Sequence, residues 1–156
     1  MKKLLLSAVL GPATLFSAFS VSATLTQTTL SWSDAEKLLK TATEKAVSLE
    51  ASVCVAVLDR SGQLLAFKRM DNAPVGCIDS AIKKGRAAVL YSTPTDKYMA
   101  RANGQEPAIA TLPGMVPLGG GAPVKTGSDV VGGVGVSGSA NPNEVAIANA
   151  AAESVK

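Results

Sequence analysis

Hydrophobic positions along the chain recur at spacings that name the local structure. Ala35, Leu38, Leu39, Ala42, Ala46 and Leu49 fall at helical spacing and predict a first helix over about 34–50. Ser33 and Glu36 precede this stripe as a capping box, in which the serine satisfies a free backbone N–H and the glutamate reaches back. Residues 24–31 are polar and threonine-rich and read as a loose lead-in. Val53 to Leu58 is an unbroken, valine-rich run suited to a buried strand. Asp59-Arg60-Ser61-Gly62 then signals a turn, and Leu64 to Met70 returns as the second arm of a hairpin.

A second helix is predicted over about 77–91. Ile78, Ala81, Ile82, Gly85, Ala88 and Val89 form its packing stripe, with Lys83, Lys84 and Arg86 pointing elsewhere. Thr93-Pro94-Thr95-Asp96 breaks the chain, and a short third helix runs from about 95 to 103, stopping at Gly104. Residues 104–129 hold four of the eight prolines. Within and after them, 122–125 predicts a short strand and 130–136 a longer one, whose glycines mark a bulge or a close backbone approach. The last helix has a clear start: Asn141 as cap, Pro142 at the first helical position and Glu144 three residues after the cap. Val145, Ala148, Ala152 and Val155 give it a thin apolar face. Paired strands with grouped helices predict an α+β fold, an antiparallel sheet of about five strands flanked by helices.

The N-terminus changes the picture of where this domain resides. Met1-Lys2-Lys3 is followed by an apolar run to Val21, and Val21-Ser22-Ala23 supplies the small residues that signal peptidase cuts after. Residues 1–23 are therefore expected to be a signal peptide and 24–156 a single domain, periplasmic or secreted. The competing reading is a retained anchor. Ser7, Gly11, Pro12 and Ser17 make the run a poor lasting span, and no later stretch is long and apolar enough to cross a membrane. Removing Lys2 and Lys3 from the 15 basic residues leaves 13 against 12 acidic ones, a balance of +1. With no basic block or basic–aromatic stripe, the chain has no nucleic-acid footprint.

Candidate chemistry is limited by what the chain lacks. It has no histidine, which excludes Ser-His and Cys-His catalytic pairs, histidine zinc sites and histidine haem ligation. The two cysteines, Cys54 and Cys77, are too far apart for a CxxC motif. They are either a disulfide, which an exported compartment permits, or two buried thiols. Gly133-x-Gly135-x-x-Gly138 matches the dinucleotide fingerprint only as a bare pattern. Its glycines lie inside a strand, and the acidic residue expected ~20 positions on would fall past the chain's end. Ser137 lacks both the elbow's last glycine and a base. No metal site is read from the residues.

Gly119-Gly120-Gly121 exposes consecutive N–H groups, which either cradle a carboxylate or simply form a flexible hairpin approach. Arg69 either rims a pocket and pairs an anion, or makes an internal salt bridge or forms a solvated strand end. Lys84 and Arg86 are read as a solvated or interface face. Met70, Met99, Met115, Tyr91, Tyr98 and the cysteines are the remaining iron donors in principle.

Val57-Leu58-Asp59-Arg60-Ser61-Gly62-Gln63-Leu64, continuing to Arg69-Met70-Asp71, resembles the "VVD-x-x-G-x-L-x-x-x-x-R-M-D" block of the haem-degrading domain family of GlcG/HbpS-like proteins. Ile78-Asp79-x-Ala81-x-x-Lys84, Gly119-Gly120-Gly121-x-Pro123 and Val131-Gly132-x-Val134-Gly135-Val136-Ser137-Gly138 resemble its following helix, glycine–proline hairpin and closing strand, in the family's order over about 33–155. The resemblance implies an antiparallel sheet flanked by helices, a tendency to homo-oligomers, and binding of haem or another small ligand. The expectation is an exported binding protein for haem or a related acidic ligand, with Arg69 and Gly119–Gly121 meeting carboxylates. The alternative is an enzyme or accessory protein acting on a small organic acid, with Arg69 orienting the substrate and Asp59 or Asp71 as base. A bare multimeric scaffold is the third possibility.

Overall fold

A computed structural model describes residues 24–155. The expected signal peptide, 1–23, lies outside the described residues. The first helix, α1, spans Trp32–Ser48. Its cap is Ser31 rather than Ser33: the Ser31 hydroxyl accepts from the Asp34 N–H at 3.2 Å, and the Asp34 carboxylate accepts from the Ser31 N–H at 2.9 Å. The Ser31 hydroxyl also donates to Asp34 Oδ2 at 2.7 Å, and this bond, with the one from the Ser31 N–H, holds the Asp34 carboxyl below the usual carboxylate range. Ser31-x-x-Asp34 wins because it places Leu30 just outside the cap, where Leu30 and Ala35 join one buried cluster. Leu30 also donates its N–H to Val131 O at 3.1 Å, so the lead-in is docked at its end rather than loose throughout.

Strands β1 (Cys54–Asp59) and β2 (Leu64–Arg69) form the expected hairpin. Helices α2 (Cys77–Leu90) and α3 (Thr95–Ala102) follow, then a 3-10 turn at Pro107–Thr111. Strands β3 (Gly121–Thr126) and β4 (Asp129–Ser137) precede α4 (Asn141–Glu153). The sheet is antiparallel throughout, in the order β2-β1-β4-β3. It has four strands, not about five. Pro107, Pro113 and Pro117 have no N–H to offer a ladder, and residues 104–118 form turns instead.

Each face of the sheet has its own core. Val53, Val55, Val57, Val124, Val134 and Val136 pack beneath α1 and α4 with Leu38 and Ile147. On the other face Cys54, Ala56 and Leu58 meet Cys77, Ala81 and Val89 of α2. The unbroken apolar character of β1 follows, because both its faces are covered. Cys54 and Cys77 form a disulfide that joins β1 to the start of α2, settling the two cysteine readings in favour of the bond.

The α2 face has almost no side-chain depth. A Cβ on Gly135 would run into the Ala81 carbonyl oxygen, one on Gly121 into that of Lys84, and one on Gly133 would come within 2.6 Å of Val89 Cγ2. Gly85 faces Gly135 in return. The helix backbone therefore lies directly on the strand backbone, which is the close approach that the glycines of β4 lead one to expect.

Gly135→Ala is expected to lower stability by about 1–3 kcal/mol through overpacking, against the usual benefit of replacing glycine. Gly76→Ala is the control. Its φ is −65° and a Cβ there meets nothing within 4 Å, so a gain of about 0.4–1 kcal/mol is expected. Urea denaturation of both variants checks the pair, and a neutral Gly135→Ala would contradict the seating described.

Candidate functional site

Two polar assemblies stand around α2, one under it and one outside it. The inner one begins with Lys84, expected on a solvated face but buried. Its Nζ donates to Glu144 Oε2 at 2.7 Å and to Val136 O at 3.3 Å, with the two side chains 3% and 6% exposed. The other carboxylate oxygen of Glu144 accepts from the N–H groups of Gly138 (2.7 Å) and Ser139 (3.2 Å). Glu144 thus satisfies backbone donors ahead of α4 rather than closing a box with Asn141. Asn141 in turn donates to Gly119 O at 3.0 Å. Turning Glu144 inward rotates the helix, so its buried face is Glu144, Ile147, Ala148 and Ala151, with only Ala148 shared with the expected stripe. Among the described residues no buried side-chain nitrogen or oxygen lacks a hydrogen-bond partner, and the Lys84–Glu144 pair acts as a fastening among α2, β4 and α4.

The strip Gly119–Gly121 belongs to the same fastening. All three residues are buried. Gly120 adopts φ +112° and its carbonyl accepts from the Val136 N–H at 2.8 Å. Gly121 donates its N–H to Thr95 Oγ1 at 2.8 Å, and that hydroxyl donates to Leu118 O at 2.7 Å. Arg69 lies at the same end of the sheet but on the opposite outer strand, three strand spacings or roughly 14 Å away. Its Nε and Nη2 both donate to Ala73 O, at 3.2 and 2.7 Å, closing the turn that carries the exposed Asp71. Asp59 Oδ1 accepts from the N–H groups of Ser61 and Gln63 at 2.8 and 3.0 Å, holding the hairpin turn.

Among the clefts on the described surface are three that neither Arg69 nor Gly119–Gly121 lines. One, of about 460 Å³, lies between the outer face of α2 and the segment after the 3-10 turn. Lys83, Arg86 and Leu90 form one wall and residues 113–116 the other. Asp79, Lys83, Arg86 and Leu90 are all exposed and spaced by four, three and four residues, a single helical stripe. Among the described residues neither Lys83 nor Arg86 joins an ion pair. The Arg86 stem packs over the hairpin turn, where a Cβ on Gly62 would come within 3.1 Å of its Cγ. The opposite wall is fastened to the end of α2, because Tyr91 Oη donates to Pro113 O at 2.7 Å.

The cleft therefore offers an apolar floor from Leu90, Pro113, Met115 and Val116, two uncommitted cations and no carboxylate. Such a lining suits a flat, apolar molecule carrying acidic groups at one edge. Met115 and Arg86 each stand out in the sequence, but nothing local in it brings them together. The stripe at 79, 83, 86 and 90 was the available indication.

For the inner assembly, Lys84→Met leaves the Glu144 carboxylate buried without its cation and is expected to cost about 3–5 kcal/mol. Adding Glu144→Gln removes that charge while keeping an oxygen for Gly138 and Ser139, so the double variant is expected to recover part of the loss. A double-mutant cycle by urea denaturation reads the coupling. A cost below about 1 kcal/mol for Lys84→Met would contradict a fastening role.

Comparison with known proteins places these features. Residues 30–153 match the family described as haem degrading protein HbpS-like. The GlcG protein of Escherichia coli K12 is 36% identical over 113 residues, covering 72% of this chain and 84% of GlcG. The crystal structure of a double mutant of Streptomyces reticuli HbpS superposes with a TM-score of 0.80 at 32% identity, over 93% of this chain and 99% of that one. A PduOC:heme complex superposes with a TM-score of 0.72 at 27% identity, over 82% and 96% of the two chains. With the four-stranded antiparallel sheet, its flanking helices and the motif order all in agreement, the chain belongs to the HbpS-like haem-degrading protein family.

Proposed function

We propose that this protein is an exported binding protein for haem or a closely related flat, dianionic ligand, held in the cleft between α2 and residues 113–116. The observation that carries the reading is the pair Lys83 and Arg86, two cations without ion-pair partners among the described residues at the mouth of an apolar cleft of about 460 Å³. The solved complex of the relative PduOC with haem supports the ligand class. Leu90, Pro113 and Val116 would cover the macrocycle, and Lys83 and Arg86 would meet its carboxylates. Bound haem supplies an iron centre; the protein's own part is to bury the ring and orient its acidic edge.

Export is supported by the composition of residues 1–23 and by the Cys54–Cys77 disulfide, a bond that persists in oxidising compartments. Among the described residues no helix is long and apolar enough to cross a membrane. Self-association belongs to the same proposal, as the family resemblance implies. The small-acid alternative finds no comparable assembly: the Arg69 guanidinium is engaged by Ala73 O, and Asp59 holds a turn.

Titrating hemin into the purified mature protein is expected to give a saturable Soret shift. Replacing Lys83 and Arg86 together by glutamine removes two charge-assisted contacts and is expected to weaken binding by at least about tenfold. Arg69→Gln is expected to leave affinity unchanged. The absence of a Soret shift would overturn the reading, and a loss confined to Arg69→Gln would move the site away from this cleft.

A further inference from the structure

We infer that the thioether sulfur of Met115 is the iron-ligating atom of the cleft, an assignment that rests on the haem reading above. It follows from which donors the fold has already committed. There is no histidine in the chain. Both cysteines are consumed in a buried disulfide between β1 and α2. No aspartate or glutamate lines the cleft. The Tyr91 hydroxyl donates to Pro113 O and is spent holding the wall. Met70 packs toward the core on the α1 side of the sheet, and Tyr98 and Met99 belong to α3; none of the three lines this cleft. Arg86 has no lone pair to offer a metal, which leaves Met115 and the Lys83 amine.

The local structure favours Met115. It follows Gly114, whose φ of +72° turns the chain, and its N–H donates to Leu112 O at 2.9 Å. The same turn is tied to the end of α2 through Tyr91. Met115 is 9% exposed, so it sits in the wall of the cleft rather than at its mouth. Lys83 is exposed, at the mouth, where a carboxylate is its natural partner. The division of labour is then geometric: cations outside for the acidic edge, sulfur inside for the centre of the ring. Because the turn is already fastened, little ordering cost falls on binding. A thioether is a soft ligand that favours ferrous over ferric iron and raises the midpoint potential.

The test compares hemin with metal-free protoporphyrin IX on the full mature protein, for wild type, Met115→Leu and Lys83→Gln. Wild type is expected to prefer the iron porphyrin by about tenfold or more. Met115→Leu conserves volume; it is expected to abolish that preference, weakening hemin far more than the metal-free porphyrin, and to lower the midpoint potential of the bound iron. Lys83→Gln is expected to weaken both porphyrins alike. Iron preference or potential unchanged in Met115→Leu would overturn the assignment while leaving the cleft reading intact, as would equal binding of the two porphyrins by wild type. Failure of wild type to bind either porphyrin would remove both.

Discussion

The fold depends on one contact of backbone against backbone: α2 lies on β4 with Gly85, Gly133 and Gly135 between them and no side chain thick enough to separate the two. Ordinary helix–sheet packing is spaced by aliphatic side chains, and here that layer is reduced to Ala81, Val89 and Leu58 at the margins. A helix seated so closely cannot roll without collision. Three bonds at its edges complete the fit: the disulfide from Cys77 to β1, the Lys84–Glu144 pair to α4, and the Tyr91–Pro113 bond to the following segment.

That seating divides α2 into two working faces. The inner face is committed to the sheet and to the buried cation of Lys84, whose partners include β4 and α4. The outer stripe, from Asp79 to Leu90, joins no ion pair among the described residues; apart from the Arg86 stem over the hairpin turn it is left to form a wall of the cleft. A rigid wall suits a ligand whose recognition depends on two charges held at a set spacing beside an apolar floor. The glycine strip 119–121 is structurally tied to the inner face instead, through Thr95, Val136 and Asn141.

Much of this was legible in the chain. The valine run of β1, the turn at Asp59–Gly62 and the stripe of α1 depend on local spacing, and the structure follows them within one or two residues. The glycines of β4 announced a close approach without saying what approaches. Lys84 was not legible, because helical periodicity treats a lysine as a solvent-facing position, and only its counter-charge Glu144, 60 residues away, reverses that. The cap of α1 shifted from Ser33 to Ser31 because the deciding interaction, Leu30 against the core and Val131, is long-range. The cleft escaped for the same reason: Lys83 and Arg86 are separated from Met115 by two helical segments whose folding-back no local pattern records.

Ligand recognition as proposed requires the outer face of α2 to be where the ligand rests. Backbone amide shift mapping by NMR, with zinc protoporphyrin added to the labelled mature protein, addresses this directly. Perturbations concentrated at residues 83, 86, 90 and 114–116 are the predicted result. Perturbations centred on 69–73 and 119–121 instead, with the outer stripe silent, would contradict it.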